Sequence, residues 1–393
     1  MKIVVLGGAG KMGVLAVEDL VLNERVDEVV LADRELDMAN AIAAHLDSRK
    51  LSVKQIDLND HQALVGLLLD ADACVNATVY YTNLKVMAAC LEARTHYTDL
   101  GGLFHGTREQ LKLHDQFLEA GVSAVLGMGS APGAPNILAR YAADRLDTID
   151  AIRIYDGVKP PPADNMKFTY AVPTIIDELT LSPMVYRHGE FIAREPLSEL
   201  EPYPFTPPLG TLPMHLSLHS EVATLPVSFK DKGIQECFFK INYWGMAKET
   251  VDKVRVLADF GFDSKELVTI TTGNGRVEVS PREFMIAMMG DFVPSSLDFL
   301  TAPENEPGDW AKEIVSEVRG TAGDQPVVYR MALLTRKGAL PTGVLPARGA
   351  VWQAAGRVEP GVHPPELAFD PQPFLKELEE RGILTSVTVT RGL

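Results

Sequence analysis

Two short stretches carry residue types fit for moving protons. In HYTDLGG (96–102) an apolar strand pattern ends on Asp99. Tyr97 and Asp99 are two apart and share one face of a strand, while His96 looks the other way and reads as structural. Asp99 is the first candidate for a carboxylate in a cleft; capping the following turn is its structural alternative. In HSEVATL (219–225) the alternation predicts a strand with His219 and Glu221 on one face. There Glu221 could hold a substrate ammonium and His219 could move its proton. A solvated strand face is the alternative. Arg153, Arg187 and Arg330 are candidates for gripping a carboxylate, and spacing does not choose among them.

A second chemistry is written near the N-terminus. GGAGKMG (7–13) follows the apolar run KIVVL and precedes KMGVLAVEDLVLNE, whose apolar residues recur near helical spacing. A second apolar run, DEVVLAD, ends on Asp33, twenty residues beyond Gly13. Strand, glycine turn, helix and strand form the context in which a glycine-rich turn binds a dinucleotide. Gly8 serves the tight turn, Gly10 the approach of a pyrophosphate and Gly13 the packing of helix on strand. The N-terminal turn of the helix, with Lys11 and Met12, offers N–H groups to the anion. Asp33 is placed to accept the ribose hydroxyls, which favours NAD, whereas Arg34 could pair with a 2′-phosphate and leaves NADP open.

Positioning these groups needs a sheet. ELDMANAIAAHL, HQALVGLLLD, TNLKVMAACLEA and HDQFLEAG read as helices, alternating with strands at LSVKQID, ADACVNAT, HYTDL and SAVLGM. Six strands separated by helices predict a doubly wound parallel sheet, a Rossmann arrangement of α/β class. Ligands on such sheets bind beyond the carboxyl ends of the strands, which adds Ala77, Thr78 and Gly129 to the cofactor-binding set. A turn hydroxyl bonding its own backbone is the alternative for Thr78, and a rigid interdomain elbow for GSAPGAPN (129–136).

From about residue 150 the texture changes. AIRIYDG, MKFTYAV, SPMVYRHGEFI, HLSLHSEVATL, ECFFKINYW and QPVVYRMALLTRKG read as strands. Helical patterns lie at TIIDELT, KETVDKVRVLADFG, PREFMIAMMGDF and WAKEIVSEVRG, and the proline-rich 201–213 reads as a surface loop. The expected organisation is a dinucleotide-binding domain over 1–130, an α+β substrate and dimerisation domain with a mostly antiparallel sheet over 131–340, and a C-terminal segment over 341–393. A net charge of −16 over 393 residues argues against a nucleic-acid partner, which needs a basic face. No apolar run reaches the ~18 residues that span a bilayer. The three cysteines fit neither a zinc spacing nor a disulfide framework, so no metal and a cytoplasmic setting are expected.

Three stretches taken together, NATVYYTNLKVMAACLEARTHYTDLGG (76–102), GMGSAPGAPNILA (127–139) and GRVEPGVHPPELAFDPQPFLKELEERGI (356–383), resemble the saccharopine dehydrogenase-like family. That family includes glutamate-forming saccharopine dehydrogenase, lysine 6-dehydrogenase and carboxynorspermidine dehydrogenase. The resemblance implies an NAD(P)-dependent enzyme acting on a CH–NH group of an amino acid, polyamine or secondary amine. It also implies a last segment that returns to the first domain. Where lysine 6-dehydrogenases carry Arg-Tyr-Pro-Gly-His, this chain has Asn242-Tyr243-Trp244-Gly245-Met246, which makes a lysine substrate less attractive. Lysine 6-dehydrogenase proper and a non-catalytic NAD(P)-binding sensor stay open as alternatives. A homodimer is expected by analogy of fold.

Overall fold

The computed structural model describes residues 1–159, 168–273, 275–290, 292, 294–301, 311–337 and 339–392. Its strands are β1 (Lys2–Leu6), β2 (Glu28–Asp33), β3 (Leu51–Gln55), β4 (Ala73–Asn76), β5 (His96–Asp99) and β6 (Ser123–Val125), followed by β7 (Thr148–Val158), β8 (Met184–Arg187), β9 (Glu190–Ala193), β10 (Glu201–Pro204), β11 (Thr211–Leu216), β12 (Glu236–Ile241), β13 (Val268–Thr272), β14 (Gly275–Val279), β15 (Lys312–Ala322), β16 (Gln325–Thr335), β17 (Gly361–His363) and β18 (Leu384–Arg391). The helices used below are α1 (Lys11–Leu22), α2 (Leu36–Leu46), α3 (His61–Leu68), α4 (Asn83–Ala93), α5 (Leu103–Leu111), α6 (His114–Ala120), α7 (Ala134–Ala143), α8 (Val172–Thr180), α9 (Glu221–Ser228) and, near the C-terminus, α10 (Leu340–Ala354).

The first sheet is parallel throughout, in the order β17-β6-β5-β4-β1-β2-β3. Its strands are apolar on both faces because helices cover both. Val4, Leu6, Cys74 and Tyr97 pack with residues of α3, α4 and α6, while Ile3, Val5, Leu31 and Val75 pack with α1, α2 and α10. The strand order reverses direction between β1 and β4, the place where doubly wound sheets open a crevice.

The sheet has seven strands rather than six, because β17 comes from the far end of the chain and pairs with β6 through Gly361↔Ser123. Three residues are too short a run to carry a periodic signal. Helix α10 lies on α1 so closely that a Cβ on Gly343 would sit 2.3 Å from Leu15 Cβ. The fully buried Asp19 of α1 ties the same region down, with Arg348 at 2.9 Å and Arg381 at 2.6 Å. Burial pushes its carboxyl pKa up, against the pull of the two guanidinium groups. The return of the C-terminal segment is only partial. Strand β18 leaves the first sheet and pairs with β16 in the second.

The second sheet runs β10-β11-β12-β7-β15-β16-β18, with β8 also on β12 and β9 on β8. Only β12 and β7 pair in parallel, so the sheet is mostly antiparallel. One face packs Ile152, Ile154, Ile314 and Val318 against α7, α8 and α9. On the other, Tyr155 stacks on Tyr203 with centroids 3.8 Å apart, beside Phe205 and Phe238.

Three expectations are corrected here. WAKEIVSEVRG, read as a helix, contains the central strand β15 (Trp310 lies outside the described residues). Glu313, Ile314, Val315, Ser316 and Val318 are all buried, because β7 and β16 flank the strand and both faces are covered; the alternation that marks a half-exposed strand is therefore missing. The proline-rich 201–213 is a hairpin of β10 and β11 rather than a free loop. MKFTYAV, read as a strand, begins at Met166 and Lys167 outside the described residues, and its last residue opens α8.

Candidate active site

The crevice at the strand-order reversal continues into the second sheet as a cleft of about 770 Å³. Gly7, Gly10, Lys11, Met12, Asp33, Met38, Ala77 and Thr78 line its first half. Asp156, Tyr170, Glu178, His219, Ser220 and Lys312 line the second, and Leu100, Gly101, Ser130, Ala131 and Pro132 form the wall between. Two stretches of backbone make the first half narrow. Gly7 has φ +72°, and a Cβ there would meet Thr78 Cγ2 at 2.9 Å; a Cβ on Gly13 would meet Gly7 O at 2.1 Å. Gly7, outside the predicted set, is thus the residue whose conformation opens the turn.

Most predicted cofactor residues reach the cleft, Gly8, Gly13 and Gly129 support it from behind, and Arg34 does neither. Gly8 packs toward Leu31 and Gly13 toward Gly7, neither on the cleft surface. Asp33 lines the cleft and accepts the N–H groups of Ala9 at 3.0 Å and Glu35 at 3.1 Å. Arg34 does not line it; its side chain is exposed and pairs with Glu35 at 3.2 Å. The Thr78 hydroxyl bonds Asn76 and Thr82 at 2.6 Å each, so it braces its own turn while the residue lines the cleft. Gly129 also braces, forming a bridge with Gly133, and leaves Ser130 to face the cleft. Lys11 reaches across to the carbonyl of Phe168 at 3.1 Å, and burial, against the attraction of Asp298, lowers its pKa to about 8.

The site fits a dinucleotide. The turn has room only for backbone where a Cβ would clash, the N-terminus of α1 faces the cleft, and a carboxylate stands at the end of β2. The buried hydroxyl of Ser130 has no hydrogen-bond partner among the described residues. Among the described residues no group of three His, Cys, Asp or Glu side chains is disposed to hold a metal, and no helix is long and apolar enough to cross a membrane.

The candidates for proton transfer divide. Asp99 and Tyr97 are not on the cleft surface, which corrects the placement expected of them. Asp99 Oδ1 accepts the N–H groups of Gly101 at 2.9 Å and Gly127 at 2.7 Å. Its Oδ2 accepts from Tyr97 at 2.9 Å, Gln110 at 2.6 Å and Asn83 at 3.1 Å. Burial raises the Asp99 pKa and these donors pull it back. With five donors on two oxygens it is a strut that holds the cleft wall from beneath. Tyr97, fully buried, has its pKa pushed well up by burial and by the Asp99 charge.

His219 and Glu221 do come together, but not on a strand. After β11 the chain crosses to the cleft and Glu221 is the first residue of α9, where a carboxylate is favoured by the helix dipole. Val222, Ala223 and Leu225 are buried along that helix. His219 Nδ1 lies 2.7 Å from Glu221 Oε2, and the ring stacks on Phe239 with centroids 3.8 Å apart. Its Nε2 is 3.9 Å from Glu178 Oε1. Burial lowers the His219 pKa, but Glu221, Glu178 and Asp156 together raise it above its ordinary value. Tyr170 donates to Glu178 at 2.5 Å.

None of the three predicted arginines lines the cleft. Arg153 pairs with Glu236 at 2.6 Å, Arg187 with Glu199, and Arg330 with Glu313 at 2.9 Å. Asn242 closes on both backbone groups of Val158 at 2.7 Å, a structural use of that position. Glu178, Tyr170, Asp156 and Lys312 escaped the sequence reading. The first two sit in an ordinary amphipathic helix and beside residues outside the described set. Asp156 ended a strand pattern, a signal that was there to use, and Lys312 was hidden in the misread β15.

Exchanging Asp99 for asparagine turns an amide NH₂ toward donors. Asp99→Asn should cost about 1–3 kcal/mol in denaturant unfolding and leave the midpoints of the pH–rate profile in place. A shifted midpoint with unchanged stability would return a catalytic role to Asp99.

The profile of the saccharopine dehydrogenase NADP binding domain matches residues 3–125 and that of the saccharopine dehydrogenase C-terminal domain residues 129–383. The chain is 25% identical to carboxyaminopropylagmatine dehydrogenase of Synechocystis over 98% of its own length and 96% of the relative's. It is 24% identical to carboxynorspermidine synthase of Vibrio cholerae over 76% and 74%. In fold it is similar to saccharopine dehydrogenase (L-Glu forming) of Saccharomyces cerevisiae (TM-score 0.65, 17% identity, 99% of both chains) and to homospermidine synthase of Legionella pneumophila in complex with NAD (TM-score 0.66, 14% identity, 98% of this chain and 91% of that one). A glycine-turn cleft, a buried histidine–carboxylate pair at its far end and two matched domain profiles give one conclusion: the chain belongs to the saccharopine dehydrogenase family and is an NAD(P)-dependent oxidoreductase acting on CH–NH groups.

Proposed function

We propose that this protein makes or splits a secondary amine joining a four-carbon amino acid to a di- or polyamine. The observation that carries the proposal is the gathering of Asp156, Glu178 and the His219–Glu221 pair at the cleft end away from the glycine turn, a setting for a cationic amine. The names of two relatives support it, since each describes a polyamine bearing a carboxylated arm. Oxidising a carboxyaminopropyl arm at the carbon on the secondary nitrogen and hydrolysing the imine leaves aspartate β-semialdehyde and the free amine.

In the joining direction the aldehyde and a primary ammonium lose water to give a protonated imine, and hydride addition at its carbon gives the secondary amine. When bound, the nicotinamide supplies that hydride, and in the reverse direction it accepts one. The chain handles protons and charge. Glu178 receives the ammonium. His219 Nε2 takes the proton that frees the amine for attack and returns it as the hydroxyl leaves as water. Glu221 holds the proton on Nδ1, so that Nε2 is the exchanging nitrogen. In the splitting direction His219 must be neutral to act, so the rate rises as pH passes upward through its elevated pKa. NAD is the preferred cofactor on this reading, because Asp33 lines the cleft while Arg34 is turned to Glu35. The chain works as a homodimer, supported by the exposed apolar side chains of Val268, Ile270 and Val277 on the β13–β14 hairpin.

Oxidation of NADH by the protein should require both aspartate β-semialdehyde and an amine such as agmatine or 1,3-diaminopropane, and should exceed that of NADPH. Consumption with the aldehyde alone at the same rate would reject the proposal. Glu221→Gln should move the acidic limb of the splitting reaction down by about one unit or more, since loss of the carboxylate lowers the His219 pKa; an unmoved limb would remove His219 from the proton path. Light scattering should return twice 42.9 kDa for the protein in solution, and a monomer mass would dismiss the dimer.

A further inference from the structure

The proposed substrate has an amino-acid head whose carboxylate no residue given a role so far recognises, and the cleft holds a pair matched to that head, Asp156 from its acidic end and Lys312 beside it. Strands β7 and β15 are antiparallel with Asp156 opposite Ile314 and Val158 opposite Lys312. Asp156 and Lys312 are thus diagonal neighbours on one face, and register alone brings Lys312 Nζ to 3.0 Å from Asp156 Oδ2. Both residues line the cleft. Asp156 is 3% exposed, and its Oδ1 is buried with no hydrogen-bond partner among the described residues, a state that native proteins rarely tolerate in the absence of a ligand. The Lys312 ammonium carries three N–H donors and is ion-paired with Asp156 at 3.0 Å.

The other described lysines on the cleft surface are differently placed. Lys11 belongs to the glycine turn and bonds Phe168, and Lys337 stands at the approach to α10, beside Ala339 and Leu340. The three arginines expected to grip a carboxylate are paired elsewhere. Among the described residues that line the cleft, Lys312 is the cation left for that task.

We infer that Asp156 and Lys312 form a receptor for an α-amino-carboxylate head group, Asp156 Oδ1 accepting from the α-ammonium and Lys312 donating to the carboxylate. This rests on the secondary-amine reading above and deepens it. Alternating charges on the receptor match the zwitterion charge for charge. A plain diamine lacks the carboxylate for Lys312, and a plain carboxylic acid lacks the ammonium for Asp156, so neither seats there.

The test is calorimetric binding to the NAD-saturated protein of L-2-aminobutyrate, propylamine and butyrate, which carry both charges, the ammonium alone and the carboxylate alone. The intact protein should bind L-2-aminobutyrate about 30-fold or more tightly than either single-charge probe, as expected for an added charge-assisted hydrogen bond. Lys312→Met should remove that advantage over propylamine, while Lys312→Arg should keep most of it and serve as the fold control. Equal binding of L-2-aminobutyrate by Lys312→Met and the intact protein, or no preference in the intact protein, overturns the inference. If the zwitterion binds as described but no amine supports turnover, the proposed reaction falls and the receptor stands. If amine-dependent turnover holds but Lys312→Met leaves the KM for aspartate β-semialdehyde unchanged, the receptor falls and the reaction stands.

Discussion

A carboxylate withdrawn from water must be answered by hydrogen-bond donors or by positive charge, and the far end of this cleft brings three together. Asp156, Glu178 and Glu221 are each no more than 4% exposed, and they converge on one histidine and one lysine. The opposite end is built the other way, from the N-terminus of α1 and backbone N–H groups that favour an anion. A cleft polarised in this manner suits an anionic dinucleotide at one end and, on the proposed function, a cationic amine at the other. It also fixes the protonation chemistry. On the proposed function, the carboxylates that would attract the amine are the groups that raise the His219 pKa, so recognition and proton transfer would have one electrostatic source.

The two sheets exist to hold these ends at the right separation. Strand order places Gly7 and Ala77 side by side at the mouth of the first sheet, after β1 and β4. The register of β7 with β15 sets Asp156 beside Lys312 in the second. Between them lies the wall braced from beneath by Asp99, which bonds the N–H groups of both Gly101 and Gly127. Asp19, with Arg348 and Arg381, secures the returning C-terminal segment against α1 and so steadies the helix that faces the anion.

How much of this is legible in the sequence follows from the range of the forces. Local patterns carried the first domain: apolar strands buried on both sides, a glycine turn whose shape is a property of seven residues, and Asp33 at a fixed distance along the chain. They also brought His219 and Glu221 together, though by the wrong geometry, because a helix start and an alternating strand look alike over seven residues. What failed depended on neighbours distant in sequence. β15 hides its strand character because β7 and β16 bury it on both sides. Asp99 looks like a cleft acid until Gln110, Asn83 and Tyr97 are seen to converge on it. β17 is three residues that form a strand only because β6 offers an edge.

The most direct test of the central claim is where the hydride goes. Aspartate β-semialdehyde, agmatine and NADH carrying deuterium at the transferred position, incubated with the protein, should yield a product with one deuterium on the methylene carbon bonded to the secondary nitrogen, read by NMR. Deuterium found instead on the carbinol carbon of homoserine would mean that the cleft reduces a carbonyl rather than an imine, and the account of a site shaped for carbon–nitrogen chemistry would be wrong.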